Sequence, residues 1–263
     1  MEEQKDEIAG RMERKGIVFG EAKPVICVPV IGTTDAAILE QVKELADGGI
    51  PMVEWRMDWY EKAEDSAAVT ALLKELAELT ERTLLLCTYR TRAQGGEGKI
   101  SPEAYRQLNL TAAESGAADL VDLEYYQVEE PERQIRELQE RGVWVVCSHH
   151  EFQKTPGILR MESRLLSMAI AGGDFSKLAV MPQRGEDVLR MMEAVIDAKR
   201  QRPEYHYIAV SMGELGAVSR LLGGWYGSEV TFAADKASSA PGQLPYPEVE
   251  RLLEELKLCG RAI

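Results

Sequence analysis

Short β-branched runs alternate with longer amphipathic stretches eight times along this chain of 263 residues, and that alternation fixes the class of fold it can adopt. The apolar runs lie at 25–30, 52–57, 83–89, 120–125, 143–148, 177–181, 207–211 and 229–233. Between them, segments such as 36–46, 66–79, 102–115, 130–141 and 186–200 carry helical patterning. After the last run, over 246–258, Val249, Leu252, Leu253 and Leu256 fall on one helix face at i, i+3, i+4 and i+7. About 30 residues per repeat is the size of one strand–helix unit. Eight such units close a barrel, whereas an open doubly wound sheet usually has five or six strands. The pattern predicts an α/β fold, a (β/α)8 barrel. No Ser- or Pro-rich linker divides it, so 1–263 reads as one domain. Residues 1–20 are a short N-terminal extension, in which 16–20 offers an extra strand across the barrel bottom.

Composition removes several classes of partner. Lys and Arg total 31 against 44 Asp and Glu, a net charge of −13. A surface that acidic repels phosphate backbones and anionic lipid, so neither nucleic acid nor membrane is an expected partner. No apolar run reaches the roughly 18 residues that span a bilayer. The acidic start, MEEQKDEIAG, lacks the apolar stretch of a secretory signal. The expected location is the cytoplasm. Cys27, Cys87, Cys147 and Cys259 form no C-x-x-C pair. The first three fall on alternate strands about 9.6 Å apart, beyond the roughly 7 Å that a disulfide bridges, and read as small buried hydrophobes. G-x-G-x-x-G, H-E-x-x-H and G-x-S-x-G are missing, and GGEGKI at 95–100 lacks the spacing of a phosphate loop.

Chemistry concentrates where a barrel would bury it. In the run 52–58, the period of two puts Glu54, Arg56 and Asp58 on one face and Val53, Trp55 and Met57 on the other. The charged face must look into the barrel mouth, because the other face packs under the helices. Asp122 and Glu124 repeat the pattern. Such carboxylates make either a structural ion-pair ring or a site. Lys177 opens the sixth run, either at a solvated strand edge or reaching up the bore, where desolvation lowers a lysine's pKa toward the neutral amine that imine formation needs. Of the three histidines, His149 and His150 end the fifth run, so only one of them can enter the barrel. That one is either a general base or a satisfied structural residue. His206 precedes a strand on the far rim and reads as a surface residue. The loops at 90–101 and 234–247 have the length and small-residue content of binding loops or lids.

Seven segments carry a further signal. They are Glu54-Trp-Arg56-Met-Asp58, Thr88-Tyr-Arg90 with Gly95-Gly96-Glu97, Asp122-Leu-Glu124, Ser148-His-His150-Glu-Phe152 with Thr155-Pro156, Lys177-Leu-Ala-Val-Met-Pro-Gln183, Ser211-Met-Gly213 with Ser219-Arg220, and Ser239-Ala-Pro-Gly-Gln243. In this order they resemble the type I 3-dehydroquinate dehydratases, Schiff-base enzymes of the shikimate pathway of aromatic amino-acid biosynthesis, over essentially the whole chain. The resemblance implies a (β/α)8 homodimer that converts 3-dehydroquinate to 3-dehydroshikimate without metal or cofactor. It makes Lys177 the imine-forming lysine and His150 the general acid/base. Arg220 pairs with the substrate carboxylate, Glu54, Arg56 and Arg90 hold its hydroxyls, and Ser239 and Gln243 are lid contacts.

Two positions depart from the family pattern. The third-strand loop of the family commonly carries a glutamate near the catalytic histidine, and here that spacing falls on Gln94. Glu124 is then the nearest carboxylate left to orient His150. Pro29 stands where some members have a polar residue, with no expected effect on the chemistry. A Schiff-base aldolase would also need the lysine, but would bind phosphate through Gly-rich loops after strands seven and eight. A non-catalytic sugar-acid-binding protein would keep Arg220 and Glu54 but has no use for Lys177 beside His150.

Overall fold

The computed structural model describes residues 11–21, 23–236 and 239–257. Cys259, the first ten residues of the extension and the end of the predicted last helix lie outside them. Eight parallel strands form one sheet: β1 (Val25–Val30), β2 (Met52–Arg56), β3 (Leu84–Thr88), β4 (Leu120–Glu124), β5 (Trp144–Glu151), β6 (Phe175–Val180), β7 (His206–Ser211) and β8 (Val230–Phe232). The order is β8-β1-β2-β3-β4-β5-β6-β7. A parallel bridge between Tyr207 and Ser228, and a bond from Glu229 N–H to the Tyr207 carbonyl (2.9 Å), join β7 to the start of β8. The sheet is therefore a nearly closed (β/α)8 barrel.

Helices α1 (Asp35–Asp47), α2 (Ser66–Leu79), α3 (Pro102–Glu114), α4 (Pro131–Gln139), α5 (Ile158–Ile170), α6 (Gly185–Gln201), α7 (Gly213–Tyr226) and α8 (Tyr246–Lys257) follow the strands in turn. Local chemistry starts several of them. Thr34, Asp65 and Ser101 accept N-terminal amide protons of α1, α2 and α3, and Pro102 occupies the first turn, where its missing N–H costs nothing. Among the described residues no helix is long and apolar enough to cross a membrane.

The period of two sorts the strands into two cores. Outward residues such as Val28, Val53, Trp55, Leu85, Cys87, Val121, Cys147 and Leu178 pack under the helices. Inward residues at the lower end, including Cys27, Met52, Leu84, Leu86, Leu120, Val146, Phe175 and Ile208, fill the bore. Burial of one such aliphatic side chain contributes about 1.5–3 kcal/mol. Two positions further up β2, β4 and β6 the inward residues become charged, at Glu54, Asp122 and Lys177, so the apolar layer is the floor of whatever lies above it.

The extension does not add a single strand over 16–20. Lys15 (φ 54°) and Gly16 (φ 76°) turn the chain instead, making an antiparallel hairpin of Glu13–Arg14 with Ile17–Val18. Lys15 Nζ binds Asp119 (2.6 Å) and the carbonyls of Thr80 and Thr83. The hairpin delivers Phe19 to the bottom of the bore, 1% exposed, with its ring edge-on to Trp144 and Phe175. His206 corrects a second expectation. It does sit at the bottom rim, but it is the first residue of β7 and is buried, with Nδ1 2.5 Å from Glu229 Oε2 and its ring against Phe175. A carboxylate 23 residues further on makes a buried position tolerable for an imidazole.

Candidate active site

β6 begins at Phe175, two residues before the predicted start, because the aromatic ring belongs to the barrel floor. Lys177 is thus the third residue of the strand, in register with Ser148 and Ile208, and is 5% exposed. The solvated-edge alternative is removed. Lys177 Nζ lies 3.5 Å from Glu54 Oε1, 3.8 Å from Asp122 Oδ2 and 4.0 Å from the centre of the Phe232 ring. Both carboxylates are held. Thr88 Oγ1 donates to Glu54 (3.0 Å), and Ser148 Oγ and Arg90 Nη2 donate to Asp122 (2.7 and 2.8 Å). Arg90 also reaches Glu124 (3.1 Å) and Ser148 Oγ (2.9 Å). Burial opposes the Arg90 charge, but Asp122 and Glu124 outweigh it and keep the guanidinium protonated.

β5 runs to Glu151, so both histidines of the pair stay on the strand and face opposite ways. His149 turns outward against Tyr126, where burial and then Arg164 push its pKa down to about 4. His150 turns inward and stacks on Phe152. Burial, and after it the cations Arg90, Lys177 and Arg56, hold its imidazole well below the ordinary range. Its Nδ1 is buried without a hydrogen-bond partner. The imidazole is therefore neutral near pH 7 and free to accept a proton.

Arg220 comes from α7, whose inward face is Gly216, Ser219, Arg220 and Gly223. The guanidinium is 3% exposed and donates only to backbone carbonyls, Nη1 to Phe232 and Nη2 to Pro241 (both 3.1 Å), while Nε has no partner. Among the described residues no carboxylate pairs with it. Burial without an anion pulls its pKa down to about 10. A buried, uncompensated cation is costly unless an anion completes it.

One cavity is lined by Glu54, Arg56, Arg90, His150, Lys177, Arg220, Ser239 and Gln243, the eight residues to which the resemblance gives roles. Phe232, Met212, Val210, Ala179 and Ala240 complete the wall. Sequence reasoning passed over Phe232 and Met212, although each is inward by the same period of two as its neighbours. The cavity thus places an amine, a neutral imidazole and an unpaired guanidinium around one volume.

A family model for the type I 3-dehydroquinases matches residues 26–258. The chain belongs to this family. It is 40% identical over 245 residues to the 3-dehydroquinate dehydratase of Listeria monocytogenes serotype 4a, covering 92% of this chain and 96% of that protein. It is 37% identical over 247 residues to that of Clostridioides difficile strain 630, covering 94% and 97%. Among solved structures, the 3-dehydroquinate dehydratase of Geobacillus kaustophilus HTA426 superposes with a TM-score of 0.92 at 34% identity, covering 95% and 98%. The type I enzyme of Clostridium difficile with covalent modified comenic acid gives 0.91 at 36%, covering 96% and 100%.

Within this type I 3-dehydroquinase, two expectations about the rim need correcting. Asp58 does not look into the mouth. β2 stops at Arg56, and Asp58 sits in a 3-10 turn (Met57–Trp59), chelating Arg56 and accepting the N–H groups of Arg90 and Glu97. Glu124 does not orient His150 either, because both its oxygens are taken by Arg90, Thr91 N–H and Thr91 Oγ1. The loop 90–101 is consequently tied to the rim. Gly96 sits where a Cβ would meet the Arg90 carbonyl at 2.2 Å, and Gly95 (φ 82°) sits under the Phe152 ring.

Proposed function

We propose that this chain removes water from 3-dehydroquinate to give 3-dehydroshikimate, in the shikimate pathway, through an imine on Lys177, acting in the cytoplasm as a homodimer. The observation that carries the reading is the cavity that joins buried Lys177, neutral His150 and the unpaired Arg220. An amine attacks a ketone, a base takes a carbon-bound proton, and a guanidinium with no internal anion receives a carboxylate.

The steps follow from those groups. Lys177 Nζ gives one proton to His150 and adds as the free amine to the C3 ketone; the carbonyl oxygen takes that proton back from His150 and a second from the nitrogen and leaves as water, giving a protonated imine. That cation draws electrons from C2, and His150 takes a C2 proton to leave an enamine. The enamine electrons expel the C1 hydroxyl, which leaves as a second water after receiving the proton from His150. Hydrolysis of the imine consumes one water and restores Lys177, so the net change is the loss of one water. In this reading Glu54 bonds one substrate hydroxyl and Arg56 another. Arg90 is engaged by Asp122, Glu124 and Ser148, which supports a role in holding those groups as well as a contact to substrate. Ser239 and Gln243 close the top. An aldolase reading is less well supported, because Arg220 sits among carbonyls at a single guanidinium rather than at a Gly-rich phosphate nest.

Borohydride reduction in the presence of 3-dehydroquinate, followed by peptide mass spectrometry, tests the reading. One ligand mass on the peptide carrying Lys177 is expected. No label, or label on another lysine, overturns it.

A further inference from the structure

Pro241 lies in the segment that follows β8, and its carbonyl accepts two hydrogen bonds from opposite sides. Arg220 Nη2 donates from the cavity at 3.1 Å, and the Gly213 N–H donates from the start of α7 at 3.2 Å. The backbones meet closely at this point. A Cβ on Gly242 (φ 77°) would lie 2.2 Å from the Gly213 carbonyl oxygen, a separation no side chain tolerates. Gly213 has a positive φ of its own, 71°. The rest of the segment is tied together, with Gln243 Oε1 accepting the Ser239 N–H at 2.9 Å and Gln243 Nε2 donating to Ser239 Oγ at 3.2 Å.

We infer that the Pro241 carbonyl, seated by the Gly213–Gly242 contact, is the positioning group for Arg220, so that the segment 239–243 sets how tightly the cavity holds a ligand carboxylate. A carbonyl is suited to this task. It fixes the plane of a guanidinium without cancelling its charge, which a carboxylate in the same place would do. With Phe232 O on Nη1 and Pro241 O on Nη2, the fork is held at two corners, while Nε has no partner and the charge stays uncancelled. Loss of the Pro241 contact frees one corner, and the charged fork must then be ordered by the ligand itself. The inference rests on the reading of Arg220 as the carboxylate group.

A double-mutant cycle in steady-state kinetics tests it, with Gly242→Ala, Arg220→Ala and the double variant. Gly242→Ala is expected to raise KM about tenfold, the scale of one charge-assisted hydrogen bond, with kcat within about threefold of the parent. In the Arg220→Ala background the same change is expected to move KM by less than about threefold, because the group it positions is gone. Equal KM effects in both backgrounds overturn the inference, since the segment would then act independently of Arg220. A fall in kcat with KM unchanged in Gly242→Ala also overturns it. Arg220→Ala with an unaltered KM instead sinks the carboxylate reading on which the inference stands, whatever Gly242→Ala does. Should Gly242→Ala fail to fold by circular dichroism, Pro241→Gly loosens the same carbonyl and is expected to raise KM in the same direction by a smaller factor; no rise counts against the inference.

Discussion

Gln94 Oε1 accepts the backbone N–H of His150 at 2.7 Å, while Nδ1 of the same histidine has no partner. Residue 94 therefore holds the strand on which the base rides and leaves the imidazole ring alone. The resemblance leads one to expect a carboxylate here, and an amide in its place carries no charge. Burial, and after it the cations Arg90, Lys177 and Arg56, hold the His150 pKa low.

Gln94→Glu adds a negative charge beside that imidazole and stabilises its protonated form. The pKa of His150 rises, and because a base must be deprotonated to work, the acid limb of the kcat/KM profile moves to higher pH. A shift on the order of one unit is expected at low ionic strength. The pH profiles of both proteins in matched buffer decide it. An unmoved limb means that residue 94 serves the backbone alone, and a limb moved to lower pH contradicts the sign of the interaction.

Lys177→Ala is expected to abolish turnover while substrate still binds through Arg220. Calorimetry with 3-dehydroquinate reads binding, and the borohydride label disappears in the same variant. Loss of binding together with turnover would show that the amine contributes affinity as well as chemistry.

Arg90 bridges Asp122 and Glu124 where all three are almost fully buried. Arg90→Met leaves two buried carboxylates without their main cation, a change that costs about 3–5 kcal/mol. The loss depends on pH in a defined direction. Burial already raises the Glu124 pKa in the folded protein, against the pull of Arg90 and Thr91. A carboxyl raised on folding favours the fold when protonated, and that contribution disappears as pH rises through its folded pKa. Removal of Arg90 raises it further. The Tm deficit of Arg90→Met relative to the parent should therefore be larger at pH 7 than at pH 5; a deficit independent of pH would show that lost packing dominates.

Phe19 tests the bottom of the barrel. Phe19→Ala removes a ring packed on Trp144 and Phe175 and should cost about 3–5 kcal/mol in chemical denaturation. The cavity lies at the opposite end of the bore, so kcat and KM should stay within about twofold of the parent. A large kinetic effect would mean that the floor and the site are coupled.

The strand–helix alternation and the period of two were enough to read the barrel, and to read Glu54, Arg56, Asp122 and Glu124 as inward, because side-chain direction along a strand is a local property. The same period of two left Lys177 between a strand edge and the bore and said only that one of His149 and His150 turns inward; the resemblance singled out Lys177 and His150. Local pattern does not determine height in the bore or the partner across it. Strand stagger put Lys177 one layer above Phe175 rather than at an edge, and it turned Asp58 out of the mouth once β2 ended at Arg56. Glu229 made a buried residue of His206, and Arg90 and Thr91 took Glu124 away from His150. These hydrogen-bonded pairings span 23 to 34 residues of chain, and only closure of the barrel brings the groups within hydrogen-bonding distance. The sequence by itself determined which faces carry charge. The tertiary structure decided which charges cancel, and among the described residues that left Arg220 a buried cation with no carboxylate paired to it.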